Sequence, residues 1–222
     1  MLKQCLIAWS LTVAACSAAP VLASGIDIAS AESSAPVTAQ ALEGARLVAA
    51  LRAGGWVVYF RHTATDFSKN DRAMAGFDDC ANQRPLNEQG RIDAAQIGQR
   101  IRELRLAGGE VLASPMCRTL EHAGLAFASP TPMAALRERE AGDFPGLKTL
   151  LAAAVDKGSN RWLIGHGTPF RTVAGPPQLA EGEAAVLRPL GSSWVVVARI
   201  PVDGWAKLPA APLGGASSGK RQ

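Results

Sequence analysis

Tyrosine occurs once in 222 residues, aromatic side chains make up only 5% of the chain, and there are three histidines. So few rings leave little surface for stacking the bases of a single-stranded nucleic acid. Long apolar runs are also scarce. The run from Cys5 to Ala15 is too short to cross a bilayer, which takes about 20 residues. None of the four cysteines stands at a spacing to histidine that suits a metal site. The net charge of +4 comes from the two ends. Lys3 lies near the start and Lys207, Lys220 and Arg221 near the finish, which leaves 19 basic against 19 acidic residues between Cys16 and Ala206. A neutral domain offers no electrostatic footprint for a polyanion, so no nucleic-acid partner is expected.

What is present begins with a leader. Lys3, the apolar run and then small residues follow the charge, hydrophobic and cleavage-site order of a secretory signal over residues 1–23. Two cleavage sites compete. Val13-Ala14-Ala15-Cys16 resembles a lipobox, in which Cys16 carries the lipid, and Val21-Leu22-Ala23 resembles an ordinary signal-peptidase site. Either reading expects an exported protein, periplasmic or anchored at the envelope, with a lipid on Cys16 as the only membrane contact. Residues 24–40 read as an Ala/Ser-rich linker and residues 207–222 as a disordered Pro/Gly/Ser-rich tail. One domain, residues 41–206, lies between them.

Within that domain the pattern alternates. Leu42, Ala45, Leu47, Val48 and Leu51 have helical spacing. Trp56-Val57-Val58-Tyr59-Phe60 is a buried strand that ends in Arg61 and His62. Residues 65–85 read as a long loop over the strand end, a length that usually signals function or disorder. A helix from Asn87 to about Leu106 takes Ile92, Ala95, Ile97, Ile101 and Leu104 as its apolar positions. The strand Glu110–Ala113 breaks at Ser114-Pro115, and the helix after it carries Arg118 in its first turn. A further helix runs to about Val155. The strand Arg161–Ile164 ends in Gly165-His166-Gly167-Thr168, and two more strands, Ala185–Leu187 and Trp194–Ile200, come after it. This order expects a layered α/β domain with a mainly parallel sheet.

Three strand ends thus offer Arg61 and His62, Arg118, and His166. Ligands in such sheets sit beyond the carboxyl ends of the strands. Two imidazoles and two guanidiniums without a carboxylate cage describe an oxyanion site, and phosphate fits it best. A cation at a helix start is electrostatically misplaced unless something negative meets it. Taken singly, each of these residues also has a plain reading, as the opening of a solvated loop or as a surface arginine.

Together the segments resemble the histidine phosphatase, or phosphoglycerate mutase-like, superfamily. The likeness spans about Trp56 to Ile200. It runs through Tyr59-Phe60-Arg61-His62-Thr63, Pro85-Leu86-Asn87-Glu88-Gln89-Gly90-Arg91, Ser114-Pro115-Met116-Cys117-Arg118-Thr119 and Leu163-Ile164-Gly165-His166-Gly167. The resemblance implies a three-layer α/β/α sandwich. It implies a phosphomonoester hydrolase of the histidine acid phosphatase type, working without metal or organic cofactor on a small phosphorylated substrate. His62 is then the nucleophile that becomes phosphohistidine, Arg61 and Arg118 hold the phosphoryl oxygens, and His166 completes the clamp. Glu138 matches the family's general acid, with Glu140 and Asp143 as alternatives, and Ser68 lies where many members contact phosphate.

The chain departs from the family at Thr63, where glycine is usual, and in the loop 65–85. It is also shorter than the mutases, which favours a phosphatase. A non-catalytic phosphate-ester-binding envelope protein on the same fold is the alternative function. His122, one turn after Arg118, reads as a packing or surface residue, and Glu181-Gly182-Glu183 as a polar turn without chemistry. Cys80 and Cys117 lie outside the leader. In an oxidising compartment they can pair and tie the long loop to the Arg118 helix, the alternative being two buried thiols.

Overall fold

The computed structural model describes residues 41–137 and 142–210, all within one unit of the chain. The leader, the lipobox, the linker, Glu138, Glu140 and the tail from 211 lie outside the described residues.

The chain runs α1 (Gly44–Ala53), β1 (Trp56–Arg61), α2 (Glu88–Glu103), β2 (Val111–Ala113), α3 (Cys117–Phe127), β3 (Thr131–Pro132), α4 (Pro145–Ala152), β4 (Asn160–Gly165), α5 (Gly167–Ala174), β5 (Ala184–Pro189), β6 (Trp194–Ile200) and α6 (Gly204–Lys207). The strands form one sheet in the order β3-β2-β4-β1-β5-β6. The pairs β3–β2, β2–β4 and β4–β1 are parallel, whereas β1–β5 and β5–β6 are antiparallel. This is the layered, mostly parallel sheet expected from the sequence. Among the described residues no helix is long and apolar enough to cross a membrane.

Side-chain alternation along the strands divides the interior in two. Val58, Phe60, Trp162 and Ile164 pack on one face with Leu47, Val48 and Leu51 of α1, Ile97 and Ile101 of α2, Ala123 of α3 and Trp205 of α6. Val57, Tyr59 and Leu163 pack on the other with Leu147 and Leu151 of α4 and Phe170 of α5. The result is the three-layer α/β/α sandwich. Because both faces are covered, Val57 to Phe60 are wholly buried, each worth about 1.5–3 kcal/mol of apolar burial. β1 is therefore a rigid mount for Arg61 and His62.

Asn87 caps α2 by accepting a hydrogen bond from the Gly90 amide at 2.8 Å. The buried face of α2 is Gly90, Ala94, Ile97, Gly98 and Ile101, which corrects the expected stripe: Ile92 is 42% exposed. Close packing explains the difference. A Cβ on Gly98 would collide with the Ala126 backbone of α3, so small residues, not the largest apolar ones, define the contact. Leu208 joins the core and its carbonyl accepts from Arg100, so packed chain continues past Ala206. Three elements were not anticipated, the edge strand β3 and the helices α5 and α6.

Candidate active site

The β1–β4 ladder builds the centre of the site. Arg61 is in register with Gly165, and the His62 amide donates to the Gly165 carbonyl at 3.0 Å. The next residue on each strand is a histidine, so the two imidazoles emerge side by side with ring centroids 5.5 Å apart, edge to face. Both are buried. His62 Nδ1 lies 2.9 Å from the Thr63 carbonyl oxygen. A carbonyl only accepts, so Nδ1 carries the proton and Nε2 keeps its lone pair. Burial pushes the His62 pKa down to about 3; the Thr63 carbonyl opposes this, and the charges of Arg118, Arg61 and Arg84 reinforce it. The ring is neutral at pH 7.

His166 is held from two sides. The Tyr59 hydroxyl accepts from the His166 amide and donates to the His166 carbonyl, each at 2.9 Å. A Cβ on Gly165 would fall on that hydroxyl, which accounts for the glycine before the histidine. Ser114 Oγ lies 2.8 Å from His166 Nε2. Burial, then the neighbouring positive groups, lower the His166 pKa well below the ordinary value.

Arg118, at the start of α3, is buried, and Asp71 of the long loop answers its charge with Nη1–Oδ1 at 3.0 Å. Arg118 also donates to the Arg84 carbonyl at 3.3 Å. Burial opposes ionisation of Asp71, but the Arg84 amide and the Arg118 guanidinium outweigh it and hold the carboxyl below its usual pKa. The loop is fastened to α3 by a Cys80–Cys117 disulfide, Cα–Cα 5.7 Å, and by the Cys117 amide donating to Gln83 Oε1 at 2.9 Å. Arg61 is steered by donation from Nη1 to the Leu179 carbonyl at 2.9 Å and from Nη2 to Glu181 at 3.4 Å.

These groups surround a cavity of about 200 Å³ lined by Arg61, His62, Arg84, Arg118, Arg137, His166, Gly167, Thr168, Pro169 and Gln178. A wider groove of about 470 Å³ between α2 and α6 contains no histidine. Arg61, His62, Arg118 and His166 are thus brought together as the motif order suggested. Arg84, Arg137, Asp71 and Glu181 are site residues that the sequence reading missed. Arg84 lies over the Phe67 ring at 4.7 Å, and neither it nor Arg137 forms an ion pair among the described residues. Four guanidiniums around an unprotonated ring nitrogen can hold a dianionic oxyanion against a nucleophile.

Other candidates fall elsewhere. Asp143 is exposed and paired with Lys148. Ser68 is exposed, its amide and hydroxyl both donating to Asp66 Oδ1 in a local turn. His122 is wholly buried, packs edge-on to Phe60 and accepts from the Thr63 amide through Nδ1 at 3.3 Å. Thr63 needs no glycine, because its φ is not positive. Among the described residues no group of three or more His, Cys, Asp or Glu is placed to hold a metal.

The α/β/α sandwich thus sets two neutral imidazoles and four guanidiniums around one cavity at the carboxyl edge of its parallel strands. The chain belongs to the histidine phosphatase superfamily (branch 1), whose family model matches residues 57–178, more than half of its length. Solved structures similar to it include the protein histidine phosphatase SixA complexed with tungstate, at 16% identity and TM-score 0.49, covering 67% of this chain and 97% of that one. A phosphoserine phosphatase from Entamoeba histolytica in complex with 3-phosphoglyceric acid is 13% identical with TM-score 0.48, covering 65% and 95%. YhfR of Bacillus stearothermophilus is 19% identical with TM-score 0.44, covering 64% and 94%. No curated protein sequence matches the chain.

Proposed function

We propose that this protein is a phosphomonoester hydrolase that works through a phosphohistidine on His62. The observation that carries the reading is the tautomer. With Nδ1 bonded to the Thr63 carbonyl, Nε2 is an unprotonated nucleophile among four guanidiniums. Nε2 attacks phosphorus as the ester oxygen departs in line with the bond's electron pair. Arg61 and Arg118, together with Arg84 and His166, stabilise the equatorial oxygens of the transition state. Water then attacks phosphorus, passing a proton to the carboxylate left by the general acid, and the electron pair of the P–N bond returns to Nε2. Glu138, by its match to the family motif, protonates the leaving oxygen; the exposed Asp143, held by Lys148, is the weaker alternative. Nucleophile and anion clamp are both side chains, so the reading calls for no metal.

The proposal includes export. Its support is the leader pattern, and the Cys80–Cys117 disulfide suits an oxidising compartment. The substrate class is then an extracytoplasmic phosphate ester. The test is hydrolysis of p-nitrophenyl phosphate in EDTA by the wild-type chain and by His62→Ala. Turnover that resists EDTA and falls by about a thousandfold or more in the variant supports the reading. Tight binding of phosphate esters with no turnover on a broad panel would replace it with the non-catalytic binding protein.

A further inference from the structure

The turn between α5 and β5 brings a carboxylate behind the nucleophile. Glu181 Oε1 accepts from Thr65 Oγ1 at 2.8 Å and from Arg61 Nη2 at 3.4 Å, and it lies 4.0 Å from His62 Nδ1. Backbone bonds set its place. The Gly182 amide donates to the Arg61 and His62 carbonyls at 3.2 and 2.9 Å, and the Arg61 amide donates to the Glu183 carbonyl at 3.1 Å. Arg199 secures Glu183 at 2.6 Å. The side chain of Glu181 is only 17% exposed. Among the described residues no other carboxylate approaches His62 within 4.0 Å.

Its side of the ring matters. Phosphorus bonds Nε2, and Glu181 faces Nδ1, so the carboxylate does not compete with the phosphate for the same edge. When the Nε2–P bond forms and the ester oxygen leaves with its electron pair, the ring still holds Nδ1–H and becomes cationic. Arg118, Arg61 and Arg84 all oppose that charge. The Thr63 carbonyl on Nδ1 offsets it in part, Glu181 is the carboxylate among the described residues placed to add to that, and hydrolysis of the P–N bond returns the ring to neutral.

Resting on the phosphohistidine reading, we propose that Glu181 is a positioning residue that holds Arg61 and stabilises the cationic phosphoimidazole of His62 through its Nδ1 side. An opposite charge at this range shifts such an equilibrium by about tenfold or more.

The test compares two oxyanions on the full chain. Vanadate expands its coordination and bonds an imidazole nitrogen; sulfate meets the same guanidiniums without that bond. Glu181→Gln keeps the shape and hydrogen-bonding capacity and removes the charge. The expected result is vanadate affinity lowered about tenfold with sulfate changed less than about threefold, and kcat for p-nitrophenyl phosphate lowered about tenfold with KM changed less than about threefold. Glu181→Asp, folded by its thermal transition, recovers part of the vanadate affinity. Equal weakening of both ions, or of neither, overturns the proposal, since the carboxylate would then serve Arg61 alone or nothing. Wild-type vanadate affinity no tighter than that for sulfate also overturns it, because no bond to nitrogen would form. Tight vanadate binding without turnover on any ester defeats the phosphatase reading instead, while the comparison between ions still decides the role of Glu181.

Discussion

The Thr63 carbonyl sits 2.9 Å from His62 Nδ1, so the residue after His62 determines which ring nitrogen is free. Burial then keeps that nitrogen unprotonated down to a pH of about 3. Activity should behave accordingly. Once corrected for the second ionisation of the ester, near pH 6 for a phosphate group, kcat/KM should not fall as the pH is lowered from 6.5 to 5. A tenfold loss per unit below 6.5 would show a ring that titrates as it does in water.

Stability should depend on pH where activity does not. His62 and His122 titrate at about 3 in the folded chain, both chiefly through burial, and His166 is lowered too. Unfolded histidines bind protons below about 6.5. Between 6.5 and 3 the unfolded state therefore holds more protons, and each buried ring costs about 1.4 kcal/mol per pH unit as the pH falls. Below about 4.5 the loss of ionised Asp71 and Glu183, whose folded pKa values are held down, acts in the same direction. Urea midpoints measured from pH 7 to 5 should drop, and His122→Phe should show a shallower slope than wild type.

Arg118 and Asp71 form a half-hidden pair at 3.0 Å. Removing the guanidinium with Arg118→Ala should lower kcat for an aryl phosphate by roughly 100- to 1000-fold, the range for losing one preorganised donor to the transition state. Asp71→Asn leaves the donor but not its anchor, and about a tenfold loss is expected. Steady-state kinetics of the two variants separate the roles.

The Cys80–Cys117 bridge closes a loop across a sequence separation of 37 residues. Chain-entropy reasoning assigns such a closure roughly 3–4 kcal/mol. Thermal unfolding with and without reductant should show that loss, and the denatured, unreduced chain should titrate neither Cys80 nor Cys117 as a free thiol. Two reactive thiols from these positions would contradict the bridge.

Tyr59→Phe should leave the His166 amide and carbonyl without their shared partner. Unsatisfied buried groups of this kind cost about 1–3 kcal/mol each. A kcat lowered about tenfold, in a protein that still unfolds cooperatively, is the expected readout. An unchanged kcat would mean that His166 holds its place without the hydroxyl.

Much of the site was legible because its parts are local. β1 and β4 are apolar runs that end in histidine, and Arg118 comes just after a Ser-Pro break, so strand ends and chemistry coincide in the chain. What was missed is non-local or lacks apolar pattern. Asp71 meets an arginine 47 residues away, and Arg84 and Arg137 are ordinary loop arginines until the fold turns them to one cavity. β3 is two exposed residues, Thr131–Pro132. α5 begins Gly167-Thr168-Pro169, which reads as loop, yet a proline fits the first turn of a helix, where amides have no helical partner. Ile92 misled because periodicity weighs apolar size, whereas α2 meets α3 at Gly98.

The register that pairs Arg61 with Gly165 makes the gap between His62 and His166 a backbone dimension. Neighbouring strands run about 4.8 Å apart whatever their side chains. The jaws of the site are thus calibrated by amide hydrogen bonds, a gauge that substitution cannot easily rescale. Substitution of the flanking side chains therefore alters what surrounds the two rings more readily than it alters the distance between them.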